Sequence, residues 1–168
     1  MKNVIFFENE CSGKAYFDFI DYAFSKADYF MLVYTNIANQ GYSYQQKHFK
    51  KLLDKFKVKS RTNPDWPSIY ESIPDEKYKI VFYKTAPEAK EILKEVSSLY
   101  DWRALNPSDL SFFKGNVCWF SSNDLGVAVI TNADKSDIDF AVKNGLAKPE
   151  SISLESDEEY SYKEPGLA

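Results

Sequence analysis

Glu8, Glu10 and Cys11 are the residues of this chain whose types and spacing come closest to a reaction centre. Paired carboxylates can exchange protons with a substrate or hold a cation. A thiol at the start of a helix is activated by the positive end of the helix dipole. A cysteine nucleophile also needs a base, and the chain holds a single histidine, His48. It stands beside Phe49 on the border between the basic and apolar sides of a predicted helix, with no motif around it, and reads better as a surface or partly packed residue. Acids ahead of a helix are favourable without any function, so residues 8–12 also read as an exposed turn leading into the first helix. Ser12-Gly13-Lys14 lacks the first glycine and the Lys-Ser/Thr ending of a phosphate loop, which rejects that reading. With one histidine and two distant cysteines, Cys11 and Cys118, metal-ligand spacing is missing, and neither a metal nor a cofactor is expected.

Binding offers a second set of candidates. Aromatic residues make up 17% of the chain, and large aromatics supply either core volume or interface anchors. Trp66, between Asp65 and Pro67 in a predicted loop, is the best single anchor candidate, with packing over the sheet edge as the plainer alternative. Trp102 and Arg103 join it, Arg103 as an ion pair with Asp101 or as a ligand contact. Trp119, inside a predicted strand, reads as core. Together with Glu8 and Glu10 these form the expected partner-binding set. Lys47, Lys50, Lys51, Lys55 and Lys57, continued by Lys59 and Arg61, make one side of the second helix basic. Such a side can meet nucleic acid, an acidic partner or the protein's own acidic tail, and is otherwise a solvated face. Its lysine-rich make-up argues against specific base readout, and the net charge of −4 argues against general nucleic-acid binding.

These residues need elements to hold them. Residues 3–7 read as a short buried strand, residues 15–27 as an amphipathic helix burying Tyr16, Phe19, Ile20, Ala23 and Phe24, and residues 29–34 as a strand covered on both faces. A second helix runs from Ser43 to about Lys57. Pro64, Pro67 and Pro74 make residues 58–75 a long loop. Residues 78–84 return to strand composition. Thr85-Ala86-Pro87-Glu88 then opens a third helix with the stripe Ala89, Ile92, Leu93, Val96, Leu99 and Tyr100. Three apolar runs between 110 and 131 read as antiparallel hairpins, and residues 136–144 as a last helix ending at Gly145. The expected fold is an α/β (mixed α+β) single domain over residues 1–148. Its central mixed sheet has about five strands, partly parallel, covered by about four helices in the order β-α-β-α-β-α-β-β-α. Residues 149–168, rich in Asp and Glu, are expected to be an acidic, flexible tail.

Arg61-Thr62 with Trp66-Pro67, Leu99-Tyr100-Asp101-Trp102, the run Asn106-Pro107-Ser108-Asp109-Leu110-Ser111-Phe112-Phe113, and Cys118-Trp119-Phe120 resemble a family of small uncharacterised bacterial proteins, some labelled stage III sporulation proteins. The resemblance implies a self-contained bacterial domain, with no established activity attached. In that family a His-Glu pair commonly follows the strand after the Pro-x-Asp-Leu turn. Here Ser122-Asn123-Asp124-Leu125 stands in its place, so no chemistry of that pair is carried over.

No run of about 18 apolar residues and no signal-peptide pattern occurs, and the two cysteines fit a reducing cytosol. The expectation is a cytoplasmic, non-enzymatic domain that binds a protein, such as an immunity protein neutralising a basic toxin. The alternatives are an enzyme whose site holds Glu8, Glu10 and Cys11, or an accessory protein of bacterial development.

Overall fold

A computed structural model describes residues 2–35, 44–62, 78–104, 109–122, 127–155 and 162–167. Its elements are β1 (Lys2–Phe6), α1 (Lys14–Lys26), β2 (Tyr29–Thr35), α2 (Tyr44–Leu53), β3 (Lys57–Thr62), β4 (Tyr78–Lys84), α3 (Pro87–Leu93), α4 (Leu99–Ala104), β5 (Leu110–Lys114), β6 (Val117–Ser122), β7 (Ala128–Ala133), α5 (Lys135–Lys143) and β8 (Ile152–Glu155). Among the described residues the fold is mixed α+β, with eight strands in one sheet of order β3-β4-β2-β5-β6-β7-β1-β8. Every pairing is antiparallel. The expected five-stranded, partly parallel sheet is therefore corrected. β1 and β2 flank the crossover helix α1 but are not neighbours, because β2 sits between β4 and β5 while β1 pairs with β7 and β8.

Two strands lie where loop or tail was expected. β3 falls in the predicted loop; it is an edge strand, half solvated, with Val58 as its one apolar residue, and its Lys57, Lys59 and Arg61 guard the edge against foreign pairing. β8 falls in the predicted tail and pairs with β1 from Lys2↔Glu155 to Ile5↔Ile152. Further on, residues 162–167 are also held: Lys163 bridges to Val117, and the Cys118 N–H donates to the Tyr162 carbonyl at 2.8 Å. Glu164 is 1% exposed and Leu167 5%. Over these residues the solvated-tail expectation is overturned. Their apolar alternation is too short to read, and the charge of Glu164 is met by cations about a hundred positions away.

The core follows from β2. Phe30, Leu32 and Tyr34 face one way and Met31 and Val33 the other, and β4 repeats the pattern with Val81 and Tyr83 against Ile80 and Phe82. The first face is covered by Tyr16, Phe19, Ile20 and Ala23 of α1, Phe49 and Leu53 of α2, Ala89 and Leu93 of α3, and Ala141 of α5. Against the second face pack Leu167 and Tyr162, next to Phe113 and Cys118.

The third helix also departs from expectation. Thr85 does not cap it; its Oγ1 donates to the carbonyls of Ala27 and Asp28, at 2.8 and 3.0 Å, and Pro87 opens the helix after Ala86. The helix stops at Leu93 and restarts as α4. Ser98 Oγ accepts from the Asp101 N–H at 3.1 Å, and Asp101 Oδ2 accepts from the Ser97 N–H at 2.9 Å, a local cap that fixes a new helix start.

α5 is anchored by a capping box between Asp134 and Asp137. Asp137 is fully buried, accepting from Tyr22 Oη at 2.6 Å, Trp119 Nε1 at 3.2 Å and the Asp134 N–H at 2.9 Å. Lys26 Nζ lies 3.4 Å from it and donates to Asp134 at 2.7 Å. Burial, then the bond to Asp137, pushes the Tyr22 hydroxyl up to about 12. Among the described residues no helix is long and apolar enough to cross a membrane.

Two outcomes follow from this corner. Asp137→Ala removes the acceptor of three donors, the buried Trp119 indole N–H among them, and should cost roughly 3–5 kcal/mol in urea unfolding, whereas Asp139→Ala on the exposed face of α5 should stay within about 0.5 kcal/mol. The bond from Lys26, then that from Ser136, holds the Asp134 carboxyl well below its ordinary 3.8. A folded value lower than the unfolded one stabilises above the unfolded value, and the benefit fades as pH falls through the folded one. The stability difference between wild type and Asp134→Asn, which keeps a capping side chain, should therefore shrink on going from about pH 7 to about pH 3.

Candidate functional site

β1 delivers residues 7–12 to the starts of α1 and α4. The Phe7 N–H donates to the Ala128 carbonyl at 2.9 Å and the Glu8 N–H to Leu146 at 2.8 Å. Asn9 Nδ2 donates to the Gly145 carbonyl at 2.7 Å. On the other side the Leu99 N–H donates to the Cys11 carbonyl at 3.0 Å and the Gly13 N–H to Ser97 at 2.8 Å. Gly13, at φ 59°, makes the sharp entry into α1 that a side chain would strain. Backbone bonds thus pin the connection on both sides. Between them lies a cleft of about 190 Å³ whose lining includes Glu8, Asn9, Glu10, Cys11, Leu99 and Tyr100.

At this cleft the acids and the thiol behave differently. Glu8 and Glu10 are exposed, as is Asn9 between them. Cys11 is 2% exposed, and burial, followed by the nearby charge of Glu10, pushes its thiol up to about 12. A nucleophile needs the opposite shift. His48 lies on the exposed side of α2, its Nε2 2.8 Å from Glu95 Oε2. Cys118 is also buried and pushed up to about 12 by burial.

Of the expected anchors, Trp66 and the side chain of Arg103 lie outside the described residues. Trp102 is described, and its place corrects the expectation: it is fully buried, 4.9 Å from the Phe49 ring. Its Nε1 donates to Tyr16 Oη at 2.8 Å, and that hydroxyl donates to the Leu93 carbonyl at 2.5 Å. It ties α4 to α1 and α3 and offers nothing to a partner. Among the described residues the exposed aromatic is its near neighbour Tyr100, 55% accessible on the rim of the cleft. The break between α3 and α4 turns Tyr100 outward, away from the stripe it was assigned to. The signal was local: Ser98-x-x-Asp101 has capping spacing.

The basic residues also find partners. Glu164 accepts from Arg61 Nε at 2.9 Å and Nη2 at 3.1 Å, from Lys59 Nζ at 2.7 Å and from Tyr162 Oη at 2.7 Å. Burial opposes ionisation of Glu164, but the bonds from Arg61, Lys59 and Tyr162 outweigh it and keep the carboxyl below its usual range. Of the three roles open to the basic side, Lys59 and Arg61 fill the intramolecular one. Lys50 and Lys55 lie over the rings of Tyr34 and Phe56, at 5.7 and 5.0 Å. The excess of acids after Pro149 signals such a pairing in general, and nothing in the sequence singles out Glu164 for it.

A larger, shallow cleft of about 380 Å³ runs between Asp28, Lys84, Thr85 and Gly115. Its polar groups serve the fold: Asp28 accepts from the Gly115 N–H at 2.6 Å, and its carbonyl accepts from Thr85. The smaller cleft has the chemistry. Among the described residues no three His, Cys, Asp or Glu side chains converge to hold a metal ion. No family model, curated protein or solved structure matches this chain.

Trp102→Ala should cost about 3–5 kcal/mol by urea unfolding, the penalty of an emptied aromatic core site, while Tyr100→Ala should stay within about 0.5 kcal/mol.

Proposed function

We propose that this chain is a cytoplasmic protein-binding domain that masks a basic partner, in the manner of an immunity protein neutralising a toxin. The contact surface in this reading is the cleft rim of Glu8, Glu10 and Tyr100. The observation that carries it is the solvent-exposed Tyr100 ring standing on one rim with two exposed carboxylates. Tyrosine loses little conformational entropy on contact and is enriched at binding hot spots. A carboxylate rim complements basic side chains and speeds their encounter. The backbone bonds on both sides of residues 7–12 hold this rim in place before any partner arrives, which lowers the cost of association. Against the alternative of an enzyme built on Glu8, Glu10 and Cys11 weighs the buried thiol, held protonated near neutral pH.

The test is to titrate the full chain against the basic toxin domains encoded beside its gene. A complex should form, with association slowing as salt rises. Tyr100→Ala should weaken it by about 30-fold, the loss of one hot-spot aromatic. Reversing both acids, Glu8→Lys with Glu10→Lys, should slow association without altering thermal stability. Absence of any complex at micromolar concentration and low salt would sink the proposal, as would a Tyr100→Ala variant that binds as tightly as wild type.

A further inference from the structure

Residues 162–167 occupy a groove of three parts on the second face of the sheet. The first is a strand edge. Of β6, the register with β7 covers only Phe120, Ser121 and Ser122, and Asn132 of β7, at φ 52°, departs from extended backbone just beyond it. The edge at 116–118 is filled instead by this segment, with Cys118 N–H to Tyr162 carbonyl and Glu164 N–H to Asn116 carbonyl both at 2.8 Å. The second part is the cation pair Lys59 and Arg61, which grips the Glu164 carboxylate; Lys59 Nζ also donates to the Pro165 carbonyl at 2.5 Å. The third is an apolar pocket of Met31, Val33, Ile80, Phe82, Phe113 and Cys118, entered by Leu167.

An open edge, a charge-matched clamp and a side-chain pocket are together the parts of a β-addition peptide site, in which backbone bonds give affinity and pockets give choice. The occupant is a short segment: two strand-edge backbone bonds, the Glu164 cluster with Lys59, Arg61 and Tyr162, the bond from Lys59 to the Pro165 carbonyl, and the packing of Tyr162 and Leu167 hold it, without a helix or a long ladder. Such segments open well below the free energy of global unfolding. We propose that this groove is a peptide-docking site, that residues 162–167 are its resident autoinhibitory ligand, and that its other occupant is an extended acidic segment of a partner protein. That segment would carry a carboxylate three positions before an aliphatic side chain, as Glu164 precedes Leu167. Charge complementarity selects it, since a neutral segment would leave Lys59 and Arg61 without the carboxylate they hold now. Covalent attachment gives the resident segment an effective concentration in the millimolar range, so an incoming peptide competes only when the clamp is weakened or its own affinity is high. This groove is separate from the Glu8–Tyr100 cleft, and either can fail without the other.

The full chain contains its own reporters. Cys118 lies in the apolar cluster that Leu167 and Tyr162 cover, whereas Cys11 lies in the helix-covered core, bonded through its carbonyl to the Leu99 N–H. In the full chain carrying Glu164→Gln, alkylation of Cys118 followed by mass spectrometry should accelerate about tenfold, the loss of a charge-assisted clamp, with Cys11 unchanged. A synthetic peptide of residues 162–167 should bind this variant in fluorescence anisotropy and restore Cys118 protection, and the same peptide with Gln for Glu should do neither. If Glu164→Gln does not fold, Leu167→Ala, which leaves the ion cluster in place, serves in the same assay. Equal acceleration of both cysteines would overturn the proposal, because the segment would then open only with the whole fold. So would failure of the peptide to bind once Cys118 is accessible. Cys118 protection that returns with protein concentration alone, together with a dimer in size-exclusion chromatography, would overturn the partner peptide in favour of exchange between copies.

Discussion

An antiparallel sheet commonly packs one face and leaves the other to water; the middle of this sheet leaves neither. Residues 30–34 of β2 and 80–83 of β4 are all at most 2% exposed. That demand organises the rest of the chain, because two covers of different kind must be supplied. Helices cover one face, where their apolar stripes meet Phe30, Leu32 and Tyr34. Against the other packs a segment of six residues, which lays Leu167 and Tyr162 beside Met31, Val33 and Phe82. Burial of apolar area is non-directional, so it cannot by itself decide where either cover sits.

Position is decided by a few buried polar ties. Tyr16 and Trp102 join α1 to α4 and α3. Asp137 joins α5 to α1 and to β6 through Tyr22 and Trp119. Tyr34 and Tyr83 share a bond of 2.8 Å across β2 and β4. Glu164 does for the second cover what Asp137 does for the first. A polar group in the interior is costly unless satisfied, and each of these is satisfied by partners on other elements, so misplacing a cover leaves donors and acceptors stranded. Among the described residues the perturbed groups mostly belong to these joints: burial at the joint raises Tyr16, Tyr22 and Tyr162, and the bonds from Lys26 and Ser136 lower Asp134. A strongly shifted group in this chain therefore marks a joint of the fold more often than a reaction centre.

The parts of the fold written in local pattern were legible. The 3.6-residue stripe of α1, the unbroken apolar run of β2 and the hairpins from β5 to β7 all appear where composition and spacing put them. What escaped was non-local or masked by charge. β3 alternates Lys and Arg with Val and Ser, which reads as loop until its pairing with β4 is known. β8 has only two apolar positions, and its strand character comes from β1. The α3–α4 break was locally encoded at Ser98 and Asp101, but a continuous apolar stripe masked it, and Tyr100 was assigned inward as a result. For the site, Glu8 and Glu10 were legible as exposed acids beside a helix start, and Cys11 as their neighbour; its burial was not, since it depends on the start of α4 docking against it through the bond from the Leu99 N–H to the Cys11 carbonyl, a contact between distant parts of the chain. Trp102 stands out in the sequence by residue type alone, and type does not separate an anchor from a core pillar.

The charge on β3 ties the edge of the sheet to its cover. An edge strand with unpaired N–H and C=O groups invites pairing with another chain, and lysine or arginine along it discourages that. Lys59 and Arg61 lie on such an edge, yet their charged ends turn inward to Glu164, with Lys57 and the exposed Val58, Ser60 and Thr62 left toward solvent. The two cations thus act twice, as guards of the edge and as the clamp of the cover. Releasing Glu164 returns both charges to the edge, so β3 stays protected at the moment the second face opens. The surface then uncovered is the backbone edge at 116–118 and the pocket of Leu167, bordered by positive charge. A surface of that kind repels basic segments and rewards one that brings its own carboxylate, which makes selectivity of the groove a consequence of the device that keeps the sheet from aggregating.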